Sequence, residues 1–120
     1  MKGQVDERNR ALVTISVSDQ SEGRYLPVVA WIDTAFDGHL VFPQELIDEL
    51  ALESLVQTEA ILADESKVVQ ETFLCFVEWF GDRLPVQAIA NEGKYPLLGT
   101  ELLSGRELFI SYVTKQLQLK

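Results

Sequence analysis

The chain has 120 residues, 47% of them hydrophobic, with 19 acidic side chains against 10 basic ones and a formal charge of −9. This length suits one domain, and the apolar fraction is enough to fill one core, which excludes wholesale disorder. So negative a surface repels phosphate backbones and anionic headgroups, which argues against nucleic acid and against membrane surfaces as partners. The single cysteine, Cys75, rules out a disulfide within the chain and fits a reducing compartment. The first ten residues are polar and lack an apolar signal core, and no run of about 18 apolar residues occurs. A cytoplasmic protein is the expectation.

Residues 1–10 are charged and are expected to fray, leaving 11–120 as one domain. Val13, Ile15 and Val17 alternate with other residues, the period of a strand with one buried face. A polar turn over 19–23 leads to a second apolar run over 25–32, so a hairpin is predicted, with Pro27 near its edge. After 33–38 breaks the run, 39–42 reads as a short strand. A short helix comes next, over 43–50. Pro43 suits its first position, and Leu46, Ile47 and Leu50 share one face.

Residues 59–63 and 67–77 flank a polar tetrad and predict a second hairpin, whose later arm is apolar on both faces and so central in the sheet. Gly81-Asp82 signals a turn into a returning strand over 84–90. Thr100 is placed to cap a single helical turn that Gly105 ends. Residues 108–110 and 116–119 complete the strands. Many short strands with two short helices predict a mainly β, barrel-like domain.

Asp33 is the residue that stands out. It comes after Val28-Val29-Ala30-Trp31-Ile32, a run expected to be buried, so its carboxylate would be costly there unless hydrogen-bonded, paired or functional. The bland alternative is an Asp that opens a turn and bonds its own loop. From this segment alone the bland reading has the better of it. The order of motifs shifts the balance. About 65 residues after Asp33 come Leu97-Leu98-Gly99 and then a short helix.

This order resembles the retropepsin-like aspartic peptidases, which include retroviral proteases and small single-domain prokaryotic proteins. In that family an Asp-Thr/Ser-Gly triad is followed late in the chain by two hydrophobic residues, a glycine and a short helix. Ile32-Asp33-Thr34-Ala35-Phe36-Asp37-Gly38 stands in the first place and Leu97-Leu98-Gly99-Thr100-Glu101-Leu102-Leu103 in the second. Ile61-Leu62-Ala63-Asp64-Glu65-Ser66 looks like the flap that closes over substrate. The resemblance covers about residues 11–119. It departs from the family at Ala35, where glycine is usual, and at the flap tip, which is acidic and lacks glycine.

The resemblance implies a closed-barrel-like retropepsin fold, one lobe per chain, acting as a homodimer that hydrolyses peptide bonds in a peptide or protein substrate. Two Asp33 carboxylates would meet at a two-fold axis and share one proton. The ionised member would act as general base on a water, and the protonated member would polarise the scissile carbonyl. Thr34 would bond across the dimer. Ala35, Leu97, Leu98 and Gly99 would support the loop. Asp37, Gly38, Ala63, Asp64, Glu65 and Ser66 would contact substrate. No metal or cofactor is implied. The alternative is a catalytically weak or inactive domain of the same fold that binds peptides or dimerises. An unrelated barrel with a chance Asp-Thr is more remote.

The remaining residues have plain readings. His39, the only histidine, has no Cys/His cluster around it for a metal. Cys75 reads as a buried, inert thiol. Trp31 and Trp79 read as core anchors. Glu45, Asp48 and Glu49 read as a solvated helix face.

Overall fold

The computed structural model describes residues 1–61 and 67–120. Its elements in chain order are β1 (Lys2–Val5), β2 (Ala11–Ser18), β3 (Leu26–Ile32), β4 (Leu40–Pro43), α1 (Gln44–Leu50), β5 (Glu53–Ile61), β6 (Lys67–Trp79), β7 (Asp82–Asn91), β8 (Leu97–Leu98), α2 (Thr100–Leu103), β9 (Leu108–Ser111) and β10 (Gln116–Leu119). The strands form one sheet in the order β5-β6-β7-β4-β8-β3-β2-β1-β10-β9. A further pairing of β6 with β2 joins the sheet back on itself through β3, β8, β4 and β7. The mainly β class with two short helices is as expected.

Alternation builds the core. Val13, Ile15 and Val17 of β2 point inward, as do Val28, Ala30 and Ile32 of β3. Phe42, Leu40, Val77, Val86 and Leu98 meet them from the other strands. Central β6 hydrogen-bonds to β7 along one edge and to β5 or β2 along the other, which matches its uniformly apolar stretch. The Phe80-Gly81 turn after it holds both residues at positive φ, 49° and 91°, the geometry of a tight hairpin turn.

Cys75 lies on this strand with no exposure. Burial pushes its thiol up to about 12 from an ordinary value of 9.0. It should therefore resist thiol reagents near neutral pH until the protein unfolds, as reagent uptake with and without denaturant would read. The linkage has a definite sign. The unfolded thiol ionises first, so this group's contribution to stability is intact below about 9.0 and is lost as pH climbs towards about 12.

Three expectations are corrected. Residues 2–5 do not fray: β1 lies between β2 and β10, and Val5 is buried. Asp6 organises the turn that follows instead. Asp6 Oδ1 accepts the Arg8 and Arg10 N–H groups, and its Oδ2 accepts Arg10 Nε at 2.7 Å, tying the turn into β2. Helix α1 begins at Gln44, so Pro43 precedes the first helical residue. Gly99, not Thr100, occupies the cap position of α2, and no side chain caps it.

Packing, not capping, holds α1. Ile47 and Leu50 face the core, and no side chain caps the N-terminus. Its C-cap, Ala51, sits in the left-handed region at φ 55°, where a Cβ is unfavourable. Ala51→Gly should raise stability by about 0.5–1 kcal/mol, read as a higher denaturation midpoint.

Candidate active site

Strand β3 carries the chain to Asp33, and the segment 98–101 holds the loop beyond it. The Asp33 N–H donates to Leu98 O at 2.9 Å, continuing the parallel β3–β8 pairing. Further along, Thr100 N–H donates to Phe36 O at 2.8 Å, Gly99 N–H to His39 O at 2.8 Å and Glu101 N–H to Gly38 O at 3.1 Å. The 33–38 loop is thus laced to 98–101 by backbone alone.

Gly99 makes this lacing possible. A Cβ there would run into the carbonyl oxygen of Gly38 and lie 2.7 Å from that of Phe36, with the Phe36 ring also in the way. Its own φ of −98° is ordinary, so space and not dihedral freedom demands glycine. Leu98, just before it, has no exposure and anchors the crossing in the core.

Asp33 itself differs from expectation. Its side chain is half-exposed, and Ile32 is the buried residue at the strand end. Oδ1 accepts the Ala35 N–H at 2.9 Å, so the Asx-type bond of the bland reading is present. That bond fixes the carboxylate direction and leaves Oδ2 outside it. Thr34, Ala35 and Asp37 are exposed, and Gly38 and Phe36 are half-buried. The sequence-predicted loop residues and Leu97, Leu98 and Gly99 are therefore brought together. Ala63, Asp64, Glu65 and Ser66 lie outside the described residues.

One neighbouring group was not foreseen. Trp31, expected in the core, is 38% exposed. Its ring meets Tyr95 edge-on at 6.1 Å, and the Arg10 guanidinium lies 4.4 Å from the Tyr95 ring and 5.9 Å from that of Trp31. Strand alternation puts Trp31 on the side of β3 that Asp33 continues. That period-two relation to Asp33 was available in the sequence, but the preference of tryptophan for cores masked it. Trp79 is a core residue as expected.

No protein-family model matches this sequence, and no curated protein does either. Solved structures do. The retropepsin-like aspartic protease from Rickettsia conorii superposes with a TM-score of 0.62 at 15% identity, over 99% of this chain and 88% of that one. The EIAV protease, solved with the inhibitor HBY-793, superposes with a TM-score of 0.56 at 14% identity, over 82% of this chain and 88% of that one. The likeness is one of fold, and the chain has the retropepsin-like fold.

Proposed function

We propose that the chain is an aspartic endopeptidase whose active site forms between two copies, each supplying Asp33. The observation that carries the reading is the Asp33 loop. A half-exposed carboxylate, aimed by the Ala35 N–H, sits on a loop anchored through Gly99 in a fold shared with aspartic proteases. A rigid scaffold under an accessible acid is what a catalytic group requires.

One carboxylate cannot serve as base and acid in the same step. Two can, when proximity forces them to share a proton. The ionised one takes a proton from water, and the water oxygen attacks the peptide carbonyl. The protonated one donates a hydrogen bond to the carbonyl oxygen as negative charge develops there. The tetrahedral intermediate then collapses, the C–N bond breaks, and the amine leaves with a proton from the pair. Thr34, exposed beside Asp33, is available to bond to the second copy. β9 ends the sheet with Phe109 exposed, and Tyr112 and Val113 are exposed in the turn after it, so each copy also offers an apolar edge.

Ala35 stands where glycine is usual, and it is exposed with its N–H bonded to Asp33 Oδ1. The test is cleavage of a diverse peptide library, from acidic to neutral pH, by wild type and by Asp33→Asn. Cleavage by wild type alone supports the endopeptidase. If wild type cuts nothing that Asp33→Asn spares, the chain is a binding or dimerisation domain.

A further inference from the structure

A second feature lies along the edge of β3 that β8 occupies. Strand β8 has only two residues and pairs with β3 only at Trp31 and Ile32. Before Trp31, no described strand flanks β3 on that side. The Trp31 N–H points there, since it donates to Pro96 O at 2.8 Å. Val29 faces β2 residue Thr14 in the same alternating class of pairs as Trp31 with Leu12. In an antiparallel pair such residues direct both N–H and C=O away from the partner strand. The Val29 backbone groups therefore point to the open side. Pro27 occupies the next equivalent position, where its missing N–H deprives no strand of a bond.

The opening is a groove of about 750 Å³. Val29, 45% exposed, and Pro27 form one wall, while Pro43, Leu46 and Pro96 contribute from the other segments. Three prolines make these walls stiff. Glu45, Glu49 and Glu92 line the groove too, with Lys94 the single basic residue among the described lining residues. Val29 lies four residues before Asp33, about 13 Å along a strand. The Trp31–Tyr95–Arg10 group stands between them.

We propose that this groove is an accessory substrate-docking site for an extended peptide segment in which lysine or arginine alternates with apolar residues. The segment adds to β3 as a strand through the N–H and C=O of Val29, its apolar residues lie against Val29 and Leu46, and its basic residues face Glu45, Glu49 and Glu92. The net charge of −9 favours the same partner, but the groove localises the preference. Only the word substrate depends on the peptidase reading; the binding itself does not.

The test is binding to the Asp33→Asn protein, measured by fluorescence anisotropy with a labelled peptide of alternating lysine and valine and with its glutamate–valine counterpart. The lysine peptide should bind and the glutamate peptide should not. Glu45→Lys with Glu49→Lys should weaken the lysine peptide by about tenfold or more. A matched reversal of exposed charges elsewhere, Glu7→Lys with Glu107→Lys, should leave it within about twofold. Lys94→Glu should strengthen it, which guards against a variant that merely misfolds. Equal losses from both reversals, or no binding by the parent, would overturn the proposal. Absence of cleavage by wild type overturns the peptidase alone, because this readout needs no turnover.

Discussion

Asp33→Asn should abolish peptide hydrolysis while the protein stays folded. The expected loss is on the order of a thousandfold or more, since a positioned acid–base group contributes about 10²–10⁴ to rate and both copies lose it at once. The fold should survive because the side-chain hydrogen bond seen among the described residues is kept. Asn Oδ1 can accept the Ala35 N–H as Asp Oδ1 does at 2.9 Å, and the Asp33 N–H to Leu98 O bond is made by backbone. Thermal denaturation should therefore match wild type, with initial cleavage rates carrying the whole effect. A variant that cuts as well as wild type would remove Asp33 from the chemistry.

Gly99→Ala should do the opposite and act through structure. Ordinarily alanine is the mildest replacement for glycine, and at φ −98° it would be welcome. Here its methyl would enter the space of the Gly38 and Phe36 carbonyl oxygens, and neither is the end of a flexible side chain. The 98–101 segment must then separate from the Asp33 loop, which puts the Phe36 O, Gly38 O and His39 O hydrogen bonds at risk. A loss of about 2–3 kcal/mol is expected, typical of overpacking, together with a large fall in cleavage rate. Chemical denaturation and kinetics on the same sample would check both. A stable and active Gly99→Ala protein would show that this crossing does not hold the site.

Much of this architecture could be read from the residues because local pattern and tertiary demand agree. Val13, Ile15 and Val17 alternate, and they do pack inward. Leu97-Leu98-Gly99 could be paired with Asp33 through the resemblance that their order carries. Why the third residue is glycine could not be read, because the reason lies in Gly38 and Phe36, about 60 residues away. β1 was misread because charge near a terminus usually signals solvation. Here Asp6 accepts the backbone N–H groups of Arg8 and Arg10 and pairs with the Arg10 guanidinium, in a turn that follows the buried Val5. Trp31 was misread for a related reason. Its exposure follows from strand alternation, which turns Val28, Ala30 and Ile32 inward and Trp31 outward, and the preference of tryptophan for cores masks that period. The exposure of Asp33 was likewise hidden, since an apolar run before a carboxylate suggests burial for both.

The central claim is that two copies each contribute Asp33 to one site. The direct measurement is the cleavage rate of a fixed amount of wild type mixed with increasing Asp33→Asn protein. If sites form between copies, the inactive chains capture wild-type partners, and activity should fall progressively as mixed pairs replace active ones. Activity that stays constant throughout the titration would mean that one chain cuts alone, and would contradict the account.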